Sequence, residues 1–252
     1  MKLLLHTCCA PCSVYPIKVL RAEGIEPTLF WYNPNIHPYQ EYKLRRDCLK
    51  DYAKKIDFNL IVKDSYGLDE FVCHINANCG NLTKRCEEYC YPLRLREACE
   101  YAVAHGYDAI STTLLYSIYQ KHQFIIEILT ALAEDYGLEF VYRDFREGWR
   151  EGQDAARAAG LYMQKYCGCV YSEEEAFIGR ELKKELKKRN ISPTNENVRQ
   201  IIEENKVKKM VHPEGFEPTT FCSEDRRSNP LSYGCLLVRP GGFEPLTFSS
   251  GS

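Results

Sequence analysis

Short apolar runs alternate with longer amphipathic stretches through the first 180 residues of this 252-residue chain. Five of these runs are predicted to form buried strands, at residues 2–5, 28–32, 60–62, 109–114 and 140–142. Helical patterns lie between them, for example at residues 40–55 and 119–136. Strands that alternate with helices favour a mostly parallel sheet covered by helices on both faces. The sequence therefore predicts an α/β domain over residues 1–180.

The cysteine content indicates metal or redox chemistry. The chain has 13 cysteines, yet the apolar run at residues 3–5 is shorter than the roughly 7 to 15 residues of a signal-peptide core. No run approaches the roughly 20 apolar residues that span a membrane. We therefore expect a cytoplasmic protein without a membrane partner, in which clustered cysteines more often bind metals or react than form structural disulfides. The isolated Cys48, Cys73 and Cys99 are predicted to pack as small apolar residues.

The first cysteine cluster, in HTCCAPCS at residues 6–13, directly follows the first predicted strand. In parallel α/β sheets the reactive crevice lies beyond the carboxyl ends of the strands, so we expect these thiols at that crevice. Ser13 is predicted to cap the next helix, whose free N–H groups would favour the thiolate form of nearby cysteines.

A second cluster lies in KRCEEYCYPLRLREAC, residues 84–99. Cys86 and Cys90 are four residues apart, which on a helix places their Cβ atoms about 5 to 6 Å apart on one face. Together with Cys8 and Cys9 they form a set of four thiols that suits either zinc or an iron–sulfur cluster. The spacing does not decide between these two metals.

The third cluster, QKYCGCVYS, places Cys167 and Cys169 on either side of Gly168. A disulfide across so short a segment would be strained and easily reduced, and glycine tolerates the backbone distortion that it requires. Labile disulfides tend to be catalytic or regulatory, which makes this pair a candidate redox centre. The alternative is two cysteines packed in a core.

Six motifs, in order, resemble the QueH-type epoxyqueuosine reductases of tRNA modification: HTCCAPCS, WYNPNIHPYQEYKLR, KRCEEYCYPLRLR, STTLLYSIYQKH, RDFREGW and GLYMQKYCGCVYSEEEA. The resemblance covers residues 2–180 and implies a single HUP-like, Rossmann-related domain. It implies that the protein reduces epoxyqueuosine to queuosine at the wobble position of tRNA. The implied partners are tRNA bearing epoxyqueuosine and an electron donor that the sequence does not identify.

The resemblance also implies cofactors and site residues. Ligands of a [4Fe-4S] cluster fall on Cys8, Cys9, Cys86 and Cys90, and a redox-active disulfide falls on Cys167 and Cys169. Cys12 is a candidate ligand of a second, mononuclear iron, since members of the family can carry Asp at this position.

The second cysteine pair departs from the family pattern, which usually places two residues between the cysteines, whereas three intervene here. Cys90 is assigned because the Tyr-x-x-Arg-Leu that follows it fits the family. Glu88 or Tyr89 is expected to mark a local bulge in the helix.

Contact with RNA would rely on local basic groups, with tyrosines to stack an unpaired base. The candidates are Lys43, Arg45, Arg46, Lys84, Arg85, Arg94 and Arg96. Solvated helix faces explain some of these charges equally well.

Two other function classes are weighed against the reductase. An ATP-dependent tRNA-modifying ligase of related fold would need a phosphate-binding glycine-rich loop after the first strand, and HTCCAPC contains no glycine. A zinc- or iron–sulfur-binding redox sensor or RNA-binding protein without catalysis would keep the same thiols, and this alternative stays open.

The C-terminal part of the chain has a different composition. Residues 181–212 carry more basic than acidic side chains and predict a charged helical extension. In residues 213–252, GFEP at position 215 recurs 27 residues later, and GFEP and NPLSY can be encoded by the arms of tRNA genes. We infer a read-through tail that is disordered, in which Cys222 and Cys235 are accidental.

Overall fold

Parallel strands form the centre of the protein in a computed structural model that describes residues 1–77 and 84–190. The strands are β1 Leu3–His6, β2 Thr28–Trp31, β3 Leu60–Val62, β4 Ala109–Thr112 and β5 Glu139–Phe140. They pair in the order β3-β2-β1-β4-β5, and each neighbouring pair is parallel. The predicted α/β class with a parallel sheet is confirmed.

Helices cover the sheet on both faces. They are α1 Ala10–Ala22, α2 Tyr39–Lys55, α3 Leu68–Ala77, α4 Tyr91–Ala104, α5 His122–Tyr136, α6 Trp149–Ala158 and α7 Val170–Lys188. Helix α1 contacts α2 and α6, whereas α4 contacts α5, β1 and β4. All four residues of β1 are buried, which requires cover on both faces of the central strand.

The start of α1 differs from the prediction that Ser13 caps this helix. Cys9 is the N-cap residue, and its Sγ accepts a hydrogen bond from the backbone N–H of Cys12 at 3.4 Å. Pro11 lies in the first turn, where a backbone N–H would have no partner within the helix, so proline is tolerated there. The helix therefore already begins at Ala10. Ser13 is therefore inside the helix, and its hydroxyl donates to the Ala10 carbonyl at 2.7 Å. The predicted cap at Ser13 is wrong.

The strand order reverses between β1 and β4. The chain leaves β1 towards β2 on one side and leaves β4 towards β5 on the other, so the connections that follow these two strands diverge. Such a switch point opens a crevice at the carboxyl ends of the strands, where α/β proteins bind ligands. The backbone N–H of Cys8, just after β1, donates to Thr113 Oγ1, just after β4, at 3.1 Å. The first cysteine cluster thus lies at this crevice.

The three isolated cysteines have different environments. Cys99 is buried in α4, as predicted. Cys48 is half-buried, and its Sγ accepts the backbone N–H of Tyr162 at 3.3 Å. Cys73 is exposed, so its predicted burial is wrong. It lies on the face of α3 opposite the buried Phe71 and Ile75.

Helix α7 continues through residue 180, where the α/β domain was predicted to end. The remainder of the predicted extension, residues 191–212, and the predicted tail, residues 213–252, lie outside the described residues. Within residues 1–77 and 84–190, no helix combines the length and apolar character needed to cross a membrane.

Candidate active site: thiol groups around one cleft

Three sulfur atoms of the first cluster lie together at the start of α1. The Sγ atoms of Cys8, Cys9 and Cys12, called here the three-thiol group, are all within 4.8 Å of one another. Cys8 and Cys12 sit on either side of the Cys9 cap, and the Sγ atoms of Cys8 and Cys9 are 3.8 Å apart. Because thiolates are strong ligands for zinc and iron, this arrangement can hold a metal ion.

The three-thiol group favours a single thiolate. Hydrogen bonds from Cys12 and Cys9, helped by Thr113, lower the pKa of the Cys8 thiol well below its usual value. Burial raises the pKa of Cys9, and the hydrogen bond with Cys8 raises the pKa of Cys12. Negative charge therefore concentrates on Cys8, the least buried residue of the three. A metal that bound here would displace protons from the other two thiols.

Gln164 covers the three-thiol group, and sequence reasoning missed this residue. Its Nε2 donates to Cys9 Sγ at 3.0 Å and to Cys12 Sγ at 3.3 Å. Its Oε1 is buried and has no hydrogen-bond partner among the described residues. The signal in the sequence was its place in GLYMQKYCGC, three residues before Cys167. Gln164 links the loop of the third cluster to the sulfurs of the first.

His6 is the last residue of β1 and lies buried next to the first cluster. Its Nδ1 lies 2.9 Å from Thr112 Oγ1, and its Nε2 lies 3.4 Å from the Tyr32 carbonyl. Burial, reinforced by the nearby Arg94, lowers the pKa of this imidazole to about 3. His6 is therefore neutral and adds no positive charge beside Cys8.

Cys86 and Cys90 form a separate pair at the start of α4. The segment Cys86–Cys90 is a π-helical turn, the local distortion that single extra residues produce in helices, so the predicted bulge is confirmed. The hydrogen bond from Cys90 lowers the pKa of Cys86 to about 6, and the same bond raises the pKa of the buried Cys90. This pair also offers one thiolate near neutral pH.

The third cluster carries two thiols in different surroundings. Cys167 and Cys169 are both free in this structure. Cys167 is accessible from the cleft, and its Sγ accepts a hydrogen bond from Gln120 Nε2 at 3.3 Å. Desolvation by the surrounding protein, followed by the charge of the nearby Cys86, raises the pKa of this thiol. Cys169 is buried against Cys90 in a small apolar cluster. The third cluster therefore borders both the cleft and the second pair.

Two arginines predicted to contact RNA hold the cysteine-bearing segments. Arg45 is 2% exposed and donates to the backbone carbonyls of Cys167 and Tyr166, at 2.6 and 3.0 Å. Arg94 is 3% exposed and donates to the Cys90 carbonyl at 2.8 Å. Tertiary packing encloses both guanidinium groups, although both residues line the large cleft, so their role in RNA contact stays a prediction.

The other predicted RNA contacts lie outside the crevice. Arg46 pairs with Asp64 and Arg85 with Glu175, each at 2.7 Å. The rest are exposed: Lys43, Lys84 and Arg96. None of these five residues lines the large cleft described next.

A cleft of about 990 Å³ opens at the switch point. It is lined by Cys8 and Cys12 of the three-thiol group and by Cys167 of the third cluster. Cys86 and Cys90 are not among the residues that line it, and they lie outside the three-thiol group. The structure therefore places the first and third clusters on one cavity and the second pair behind the third cluster.

Comparisons with known proteins place the chain in a family of oxidoreductases. The family model for epoxyqueuosine reductase QueH matches residues 3–175. The chain is 39% identical over 176 residues to epoxyqueuosine reductase QueH of Dehalococcoides mccartyi, which covers 70% of this chain and 94% of that protein. It is 33% identical over 190 residues to the QueH of Thermotoga maritima, covering 71% and 96%. The QueH of Haemophilus influenzae is 34% identical over 188 residues, covering 71% and 75%.

The chain belongs to the epoxyqueuosine reductase QueH family. The resemblance drawn from the six motifs is thus confirmed, and the matched residues include all the cysteines of the three clusters.

Proposed function

We propose that this protein reduces epoxyqueuosine to queuosine at the wobble position of tRNA, within the cleft lined by Cys8, Cys12 and Cys167. The observation that carries the proposal is the convergence of the first and third cysteine clusters on one cavity. A cavity of about 990 Å³ is large enough for a modified base with its ribose. The work on tRNA would take place in the cytoplasm.

The proposed reaction balances with the residues of the third cluster. Conversion of an epoxide to an alkene takes up two electrons and two protons and releases water. Oxidation of the Cys167 and Cys169 thiols to a disulfide supplies two electrons and two protons. Reduction of that disulfide then requires an external electron donor, which we propose as the second partner of the protein.

We further propose that Cys8, Cys9, Cys86 and Cys90 hold a [4Fe-4S] cluster and that Cys12 contributes to a second, mononuclear iron. The support is the donor set, since Cys8 and Cys86 each have a lowered pKa and each cysteine pair thus offers one thiolate. When bound, such groups transfer single electrons and polarise an epoxide oxygen.

The side chains around the thiols keep them in position for this chemistry. Arg45 holds the Cys167 segment through hydrogen bonds to two backbone carbonyls. Its Nε donates to the buried carboxylate of Glu41 at 2.7 Å, which balances the charge of the guanidinium group. Gln120 donates to Cys167 Sγ and stabilises the thiolate that reacts with a disulfide or a substrate. These contacts orient the cleft-facing sulfur before substrate enters.

The test uses the full-length protein, purified without oxygen, and tRNA that contains epoxyqueuosine. With dithionite as reductant, we expect nucleoside mass spectrometry to show conversion to queuosine, and we expect Cys8→Ser to abolish it. A colourless zinc-bound protein that leaves epoxyqueuosine unchanged would contradict the proposal. That outcome would favour the non-catalytic metal-binding alternative.

A further inference from the structure

The mouth of the cleft carries positive charge that the thiol chemistry does not use. Seven arginine and lysine side chains line the cleft, against the two carboxylates of Asp154 and Glu175. Of the seven, Arg45 and Arg94 are buried and hold backbone carbonyls. The other five are exposed: Arg150, Arg157, Lys165, Arg180 and Lys183. We call these five residues the cationic rim.

Few charges of the cationic rim are neutralised. Arg157 pairs with Asp154 at 2.9 Å, and Arg180 donates to the backbone carbonyl of Lys165 at 2.5 Å. Within the part of the chain that the structure describes, no hydrogen bond or ion pair involves the side chains of Arg150, Lys165 or Lys183. A concave surface with unpaired charge of one sign concentrates ligands of the opposite sign.

An exposed aromatic ring stands on the same cleft. Tyr119 is 80% exposed, and its ring centroid lies 5.7 Å from that of Trp149 in an edge-on arrangement. Both residues line the cleft. Aromatic rings beside cations are the combination with which proteins bind unpaired RNA, because bases stack on the rings while cations contact phosphates.

We propose that the cationic rim and Tyr119 form the docking surface for unpaired nucleotides of a tRNA loop. Tyr119 stacks on one base, and the cations contact the phosphates on either side of it. This inference rests on the proposed function for the choice of tRNA as the ligand, but docking itself requires no electron transfer. It assigns RNA contacts to the loop after β4 and to α6, α7 and the loop between them.

The first experiment removes charge from the cationic rim. Lys165→Ala/Lys183→Ala is compared with Lys50→Ala/Lys54→Ala, a matched pair of exposed lysines on α2 outside the cleft. The full-length protein is titrated into a fluorescent, unmodified anticodon stem-loop RNA at several salt concentrations. For the rim variant we expect weaker binding and a salt slope of log affinity smaller by about 1.4, or about 0.7 per phosphate contact. We expect the α2 variant to keep the slope.

The second experiment removes the ring. We expect Tyr119→Ala to weaken RNA binding by about 5- to 140-fold without changing the salt slope, since stacking on one base contributes about 1 to 3 kcal/mol. Tyr119→Phe keeps the aromatic face and should bind as the unaltered protein does. Because Tyr119 is exposed, melting temperatures should match across these variants.

Unchanged RNA affinity in both Tyr119→Ala and the rim variant would overturn the inference. An equal loss in the rim and α2 variants would also overturn it, because nonspecific attraction would then explain binding. Failure of the unaltered protein to convert epoxyqueuosine, together with rim-dependent RNA binding, would refute the proposed reduction and support this docking surface.

Discussion

Gln164 provides a direct test of the three-thiol group as a metal site. Gln164→Leu keeps a side chain of similar size but removes the hydrogen bonds to Cys9 and Cys12. It also removes the Oε1 atom, which is buried without a partner among the described residues. Removal of an unsatisfied buried acceptor offsets the lost N–H···S bonds, so the free energy of unfolding of the metal-free protein should change little.

The expected effect falls on metal affinity. The two hydrogen bonds, at 3.0 and 3.3 Å, orient the sulfurs and stabilise their thiolate forms when a metal is bound. Loss of such a partner typically weakens metal binding by about 10- to 100-fold, which corresponds to about 1.4 to 2.8 kcal/mol. The change should appear as loss of metal at a lower concentration of a competing chelator, with the fold unchanged.

The assay titrates cobalt(II), a spectroscopic substitute for iron or zinc, into chelator-treated protein in competition with a chromophoric chelator. The sulfur-to-cobalt charge-transfer band reports binding to thiolates. Gln153→Leu is the matched control, because Gln153 lines the same cleft but its Nε2 contacts Tyr116 Oη at 3.5 Å. Equal cobalt affinity in the two variants would refute the role given to Gln164. A lowered melting temperature of metal-free Gln164→Leu would refute the argument from its unpaired oxygen.

Further predictions concern the other cysteines and the C-terminal residues. Cys90→Ser should lose iron and sulfide from the purified protein, because a poorly ionised hydroxyl is a weak ligand for iron, and full cluster content would remove Cys90 from the ligand set. Cys169→Ser should keep a normal cluster spectrum but fail to sustain turnover with a thiol donor, since two-electron exchange needs both sulfurs. An unchanged rate with thiol and with dithionite would exclude the Cys167 and Cys169 pair from the reaction. Deletion of residues 213–252 should leave the melting temperature and activity unchanged. A large drop in melting temperature would show that the read-through interpretation is wrong.

Local patterns in the sequence determined the fold class and the position of the first cluster. Periodic apolar residues and the alternation of strands with helices depend on short stretches of chain, and β1 and β2 fall within one residue of the predicted runs. The rule that reactive groups follow parallel strands then placed HTCCAPCS at the crevice. The ends of some elements differ from the prediction because of local contacts that the apolar pattern does not indicate. Strand β4 ends at Thr112 because its Oγ1 accepts the N–H of Leu114 and starts a short 3₁₀ helix.

The sequence also determined the family, because six ordered motifs were enough to identify it without knowledge of their spatial arrangement. It indicated three cysteine clusters as candidates for metal or redox chemistry. It did not indicate that the thiols of Cys8, Cys9 and Cys12 lie within 4.8 Å of one another, since the cap formed by Cys9 depends on where α1 begins.

Only the tertiary structure decided the surroundings of the thiols. Arg45 and Arg94 carry the positive charge expected of RNA contacts, but contacts with distant segments bury them. Their guanidinium groups donate to the backbone carbonyls of Cys167 and Cys90. Gln164 reaches the three-thiol group from a loop more than 150 residues further along the chain. Burial and hydrogen-bond partners arise from contacts between distant segments, whereas periodicity and motif spacing record only neighbours along the chain. For this reason the position of the first cysteine cluster was predictable, and the groups that contact its sulfurs or form the cleft mouth were not.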